Sequence, residues 1–124
     1  MQIHESGEDY LEAILMLQKK NGRVRSIDVC NELGYSKPSV SVAMKHFREN
    51  GYITMDDDYL IRLTEKGAAI AEQVYERHVI LAKLLIAIGV DEKTAFEDAC
   101  KVEHDLSPES FERLKERYRK ISEK

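Results

Sequence analysis

The sequence has few of the features that mark export, membrane insertion or covalent catalysis. It has two cysteines, Cys30 and Cys100, far apart and with no framework spacing. That argues against a disulfide scaffold and predicts a reduced, cytoplasmic setting. The longest apolar stretch, Val79 to Val90, is broken by Lys83 and is too short to span a bilayer. The N-terminal MQIHESGEDY has no basic region followed by an apolar run, so no export signal is expected. There is no nucleophile elbow, no phosphate-cradling loop, no internal repeat, no low-complexity segment and no linker. A small metallohydrolase using Glu103 as base is therefore a poor reading; the chain is expected to be neither an enzyme nor a binder of a small-molecule substrate. Net positive charge is missing too. The balance over 124 residues is −4, which by itself speaks against a nucleic-acid partner.

The distribution of charge says otherwise. Arg23 to Arg48 holds five Lys/Arg against two acids, Asp28 and Glu32, beside an acidic first stretch carrying Glu5, Glu8, Asp9 and Glu12. Within the basic region, residues 26 to 53 predict two helices and a tight turn. Ser26 is the expected cap of the first, with Ile27, Cys30 and Leu33 along one face, and Gly34 stops it. Ser36 caps the second and Pro38 sits in its first turn, where the missing N–H costs nothing. Val40, Ala43, Met44 and Phe47 then fall at i, i+3, i+4, i+7. This is a helix-turn-helix pattern, and its second helix is the candidate recognition helix. Opposite the apolar stripe lie Pro38, Val42 and Lys45, flanked by Ser39, Ser41 and His46: a small, hydroxyl-rich face able to approach base edges. Arg25, Ser36, Lys37, Pro38, Ser39, Ser41, Val42 and Lys45 make the candidate DNA-binding set. A solvated helix in a small helical domain is the plainer alternative.

The flanking elements strengthen the reading. A first helix capped by Ser6 has Tyr10, Leu11, Ile14, Leu15 and Leu17 on its core stripe and Asp9, Glu12 and Met16 on a second face. Residues 23 to 25 are expected as a short strand. After Gly51, two β-prone runs, 52–55 and 59–63, surround Asp56-Asp57-Asp58 and predict a hairpin, hence a winged helix-turn-helix. Three aspartates at the tip repel phosphate, so any wing contact falls to Arg62 or main-chain N–H groups. Thr64 caps a long helix to about Ile88, with Ala71, Val74, His78, Leu81 and Leu85 in one stripe. Asp91 caps the next, with Phe96, Ala99, Cys100 and Glu103 on one face and Ala95, Val102 and Leu106 widening it. Ser107-Pro108 opens a last helix bearing Phe111, Leu114, Tyr118 and Ile121. The predicted class is mostly α: a winged helix-turn-helix DNA-binding domain over 1–70, then a helical metal-binding and dimerisation domain over 71–124. One protomer cannot cover the apolar faces of both last helices, so a homodimer is expected.

Polar residues stand where apolar ones belong. His78 interrupts the long helix's stripe and Glu103 continues an apolar face. Cys100, Glu103 and His104 are spaced i, i+3, i+4, adjacent on a helix. A buried carboxylate is costly unless paired or bound to a cation. Thiolate, carboxylate and imidazole make a candidate metal site, with His78 reaching in from the neighbouring helix and Asp9 and Glu12 able to complete it. Taken singly, each residue has an ordinary reading: a hydrogen-bonded core histidine, surface acids, first-turn helix acids. Cys30 reads as core and His4 as tail.

EDYLEAI, SKPSVSVAMK, LTEKG, ERH and DACKVEHDLS together resemble the diphtheria toxin repressor and manganese transport regulator family of metal-activated bacterial repressors, over nearly the whole chain. The resemblance implies a dimer that binds palindromic double-stranded operator DNA when Fe2+ or Mn2+ is present and represses metal-uptake genes. The family's metal positions fall on Asp9, Glu12, His78, Cys100, Glu103 and His104. Asp9 and Glu12 match the manganese-type branch, whereas Cys100 matches the iron-type branch. Ala82 and Phe96 stand where iron-type members carry ancillary ligands. The thiolate favours Fe2+ or, in vitro, Zn2+, and the carboxylates suit Mn2+. Ser36, Pro38, Ser39 and Ser41 fall on the family's DNA-contact positions, with Val42 replacing a polar one. The resemblance stops near Lys124, without the SH3-like third domain of longer iron-type members. The alternative function is a metal-independent winged-helix regulator sensing redox or a small ligand through Cys100.

Overall fold

A computed structural model describes residues 5–122; the reading of His4 as tail lies outside them. The elements run α1 (Glu5–Asn21), α2 (Ser26–Leu33), α3 (Lys37–Glu49), β1 (Ile53–Met55), β2 (Ile61–Leu63), α4 (Glu65–Ala87), α5 (Glu92–Val102), a 3-10 turn (Glu103–Asp105) and α6 (Pro108–Ser122). They form two compact units, residues 1–72 and 73–124, with α4 giving its first turns to one and the remainder to the other.

The first unit is a helix-turn-helix with a wing. α1 buries Tyr10, Leu11, Ile14, Leu15 and Leu17. α3 buries Val40, Met44 and Phe47, and Tyr10 meets the rings of Tyr35 and Phe47 edge-on at 5.4 and 5.9 Å. Gly34, at φ 72°, closes α2 and starts the turn, a conformation that costs glycine little. Ser36 Oγ accepts the Ser39 N–H at 3.3 Å and so caps α3. β1 and β2 pair antiparallel, Ile53 with Leu63 and Met55 with Ile61, placing Ile53 and Ile61 in the core. Thr64 joins wing to α4: its hydroxyl donates to the Gly51 carbonyl at 2.6 Å and accepts the Gly67 N–H at 3.2 Å. Gly67 is required by close approach, since a Cβ there would collide with the backbone oxygen of Tyr52.

Four local expectations are corrected. Ser6 lies inside α1, whose described part starts at Glu5. The N-cap of α2 is Arg25 rather than Ser26, because the Asp28 carboxylate accepts the Arg25 N–H at 2.9 Å and shifts the start by one residue. That rotation buries Val29 and Cys30 and leaves Ile27 44% exposed. Residues 23 to 25 are not a strand; they make one bridge, Ile61 N–H to the Val24 carbonyl at 2.7 Å.

In the second unit Leu81 and Ala82 of α4 pack with Ala95 and Ala99 of α5, with Leu85, Phe96, Leu106 and Leu114 around them. Asp91 caps α5 through the Thr94 N–H, and Ser107 Oγ accepts the Ser110 N–H at 3.1 Å to open α6. α6 anchors through Phe111, 6% exposed, but its apolar stripe runs outward to Ile121 at 41%. Val102 and Ile88 are exposed as well, at 45% and 78%. Among the described residues no helix is long and apolar enough to cross a membrane.

Candidate metal centre and nucleic-acid interface

Three consecutive residues of α4 organise the second unit. Glu76 pairs with Lys115 of α6 at 2.5 Å. Arg77 donates to the Leu106 carbonyl at 2.9 Å and lies over the Phe111 ring at 5.1 Å. His78 meets α5: its Nε2 bonds the Phe96 carbonyl at 3.0 Å, and its ring packs edge-on against that of Phe96. A carbonyl only accepts, so Nε2 carries the proton, and in the neutral ring Nδ1 keeps its lone pair. Nδ1 faces Glu103 Oε2 at 4.0 Å.

Glu103 was expected on the continuing α-helix. Instead α5 ends at Val102, and Glu103 and His104 belong to the 3-10 turn that follows. The turn carries the Glu103 side chain inward to 1% exposure while Cys100 stays exposed. His104 Nε2 lies 3.4 Å from Glu103 Oε1, its side chain only 4% exposed. A carboxylate between two imidazoles, out of water, is a place that suits a cation. One donor atom each of His78, Cys100 and Glu103 lies within 4.8 Å of the others. A nitrogen, a sulfur and an oxygen at that separation are a chemically sound set for a divalent transition metal, so the residues present fit such an ion. The Phe96 carbonyl supplies the outer hydrogen bond that usually orients a ligating histidine. That partner is a main-chain atom, and so no residue type signalled it. Arg77 was missed as well; only its place next to His78 hinted at a supporting role.

Asp9 and Glu12 lie one turn apart on α1 in the first unit, Asp9 half-buried and Glu12 8% exposed. Of the candidate DNA-binding residues, Lys37, Pro38, Ser39, Ser41, Val42 and Lys45 are all exposed on α3, with Val42 at 58%. Ser36 is engaged in its cap and pairs with Ser39 through a 2.9 Å hydroxyl bond. Arg25 stands exposed at the start of α2, and its Nε donates to the Asp58 carbonyl at 3.2 Å.

A winged helix-turn-helix followed by a helical unit that gathers His78, Cys100 and Glu103 is the architecture of a DNA-binding regulator with a candidate metal site. The sequence matches the family model for the "Iron dependent repressor, N-terminal DNA binding domain" over residues 2–59 and that for the "Iron dependent repressor, metal binding and dimerisation domain" over 64–124. It is 38% identical over 113 residues to an uncharacterized HTH-type transcriptional regulator of Methanocaldococcus jannaschii, covering 90% of both chains. It is 33% identical over 109 residues to the HTH-type transcriptional regulator MntR of Bacillus pumilus, covering 88% of this chain and 76% of that one. Among solved structures it resembles T. acidophilum IdeR with a TM-score of 0.79 and 26% identity, over 90% of this chain and 53% of that one; the chain thus spans about half the length of that relative. The chain belongs to the iron-dependent repressor family, whose members are transcriptional regulators rather than enzymes. That membership does not favour a metal-independent regulator built on Cys100.

Proposed function

We propose that this chain is a metal-gated transcriptional repressor of metal-uptake genes, binding palindromic operator DNA as a homodimer in the cytoplasm. The observation that carries the reading is the set of His78, Cys100 and Glu103 donor atoms within 4.8 Å of one another, in a chain whose first unit is a winged helix-turn-helix. Residues 1–70 are the proposed DNA-binding domain and 71–124 the metal-binding and dimerisation domain. The proposed ligands are Asp9, Glu12, His78, Cys100, Glu103 and His104. Arg25, Ser36, Lys37, Pro38, Ser39, Ser41, Val42 and Lys45 are the proposed DNA contacts.

Fe2+ or Mn2+ held there would supply a divalent positive charge among the carboxylates. The remaining work belongs to the chain. Glu103 and His104 present donors from a short turn, and His78 is held in its ligating tautomer by α5. The apolar stripe of α3 fixes the hydroxyl-bearing face outward, where Ser39 and Ser41 reach phosphates or base edges and Pro38 and Val42 contact a thymine methyl. Two recognition helices in a dimer match half-sites about 34 Å apart. Gating requires only that metal be held more tightly in the DNA-competent arrangement.

The test is fluorescence anisotropy on DNA from upstream of the organism's metal-uptake genes, at one fixed salt concentration, with chelator, Mn2+, Zn2+ and anaerobic Fe2+ in turn. Tight binding only with metal is expected. Equal binding in chelator would remove the gating and leave a metal-independent DNA-binding protein.

A further inference from the structure

A groove of about 520 Å3 in the first unit runs between the 22–25 segment and β2, and three arginines border it: Arg23, Arg25 and Arg62. The backbone explains why they gather. Val24 and Ile61 are each 1% exposed and are joined by the bridge between them. In extended chain the neighbours of an inward residue face outward. Arg23 and Arg25 therefore flank Val24 on the solvent side, and Arg62 follows Ile61 there; all three are exposed. Arg25 is steadied by its Nε bond to the Asp58 carbonyl, and a guanidinium has further N–H donors in a fixed fork. Asp58 also borders the groove, so cations outnumber acids there by three to one. Like charges gathered in one concavity repel unless an anion lies among them.

We propose that this groove seats phosphates of the duplex DNA backbone, with Arg23 and Arg62 joining Arg25 as phosphate contacts. The proposal rests on the DNA-binding reading above. Duplex backbone suits the groove better than a single small anion. The groove is open, and Arg25, which lines it, is the N-cap of α2, the helix that crosses the backbone in helix-turn-helix proteins. Of the three aspartates at the wing tip only Asp58 borders the groove. Asp56 is turned onto the main chain, its Oδ1 accepting the N–H groups of Asp58 and Leu60 at 2.9 Å each. The wing then acts through the base of β2 rather than through its tip.

The experiment measures anisotropy on a generic-sequence duplex with saturating Mn2+, across a salt series, for the wild type, R23Q and R62Q. Each substitution is expected to make the slope of log K against log salt shallower by roughly one. Melting temperatures should stay unchanged, because both side chains are exposed. Slopes coinciding with the wild type's would overturn the groove while leaving DNA binding through α3 intact. A wild type that binds no DNA under any metal condition would overturn the functional reading and the groove with it. Calorimetry with inorganic phosphate separates the remaining source: saturable binding lost in R23Q, with unaltered DNA slopes, would make the groove a free-anion site and overturn the proposal.

Discussion

His78 and Phe96 are joined by a 3.0 Å bond from imidazole Nε2 to main-chain carbonyl, and that bond leaves Nδ1 directed at Glu103. A side chain that also supplied the proton acceptor would make this orientation easy to lose by substitution; a backbone acceptor preserves it whatever residue 96 is. His78→Ala is expected to weaken Mn2+ and Zn2+ binding by roughly tenfold or more, read by calorimetry, with helical content by circular dichroism unchanged. Wild-type affinity in this variant would remove His78 from the ligand set.

Glu103→Gln separates the role of charge from that of shape. Glu103 lies 3.4 Å from the His104 ring and 4.0 Å from that of His78, and the amide keeps its shape while removing its charge. The apo variant should still melt in one cooperative transition. Metal at a hundred times its dissociation constant stabilises a binding-competent protein by about 2.7 kcal/mol, and this increment should vanish in the variant. Thermal melts with and without Mn2+ check both halves.

Cys100→Ser tests metal preference. Replacing a soft sulfur by a hard hydroxyl should lower affinity for Zn2+ and Fe2+ more than for Mn2+. Cys100 is exposed, so the substitution should leave the apo melting temperature unchanged. Competition titrations give the affinity ratio, and an unaltered ratio would mean that the thiolate does not ligate.

Gly67→Ala probes the wing's attachment. The added methyl meets the backbone oxygen of Tyr52, which cannot swing away as a side chain would. A loss of about 1–3 kcal/mol is expected from overpacking, measurable by urea denaturation.

Tyr10 gives the first unit an alkaline limit. Burial raises its phenol above the usual 10.0, assisted by Tyr35 and Cys30. The folded state thus holds the proton more tightly than the unfolded one. Its contribution is complete below about pH 10 and is lost as pH rises through the folded value. Tyr10→Phe should flatten this decline in a series of melts between pH 9 and 11.

Much of the fold was legible because periodicity and caps agreed. Val40, Met44 and Phe47 were spaced for a core and are buried, and the Asp56–Asp58 turn separates two paired strands. Errors came where a local bond competed with a pattern. Asp28 drew the start of α2 back to Arg25, which no spacing rule weighs against a serine cap. The i, i+3, i+4 spacing of Cys100, Glu103 and His104 assumed one continuing helix, whereas the last two lie in a 3-10 turn. The arginine groove was invisible in sequence because Arg23 and Arg62 are thirty-nine positions apart and meet only through the Val24–Ile61 bridge.

The end of α5 at Val102 has a further bearing on ion choice. A ligand on a regular helix is tied to a ladder of i to i−4 bonds, and its reach is fixed by the scaffold. A 3-10 turn has poorer hydrogen-bond geometry and yields more readily. Glu103 and His104 ride on such a turn, so the donors they would offer a metal are set on a yielding segment. Discrimination among metals held there would then rest on hardness more than on size, with the sulfur of Cys100 set against the oxygen of Glu103.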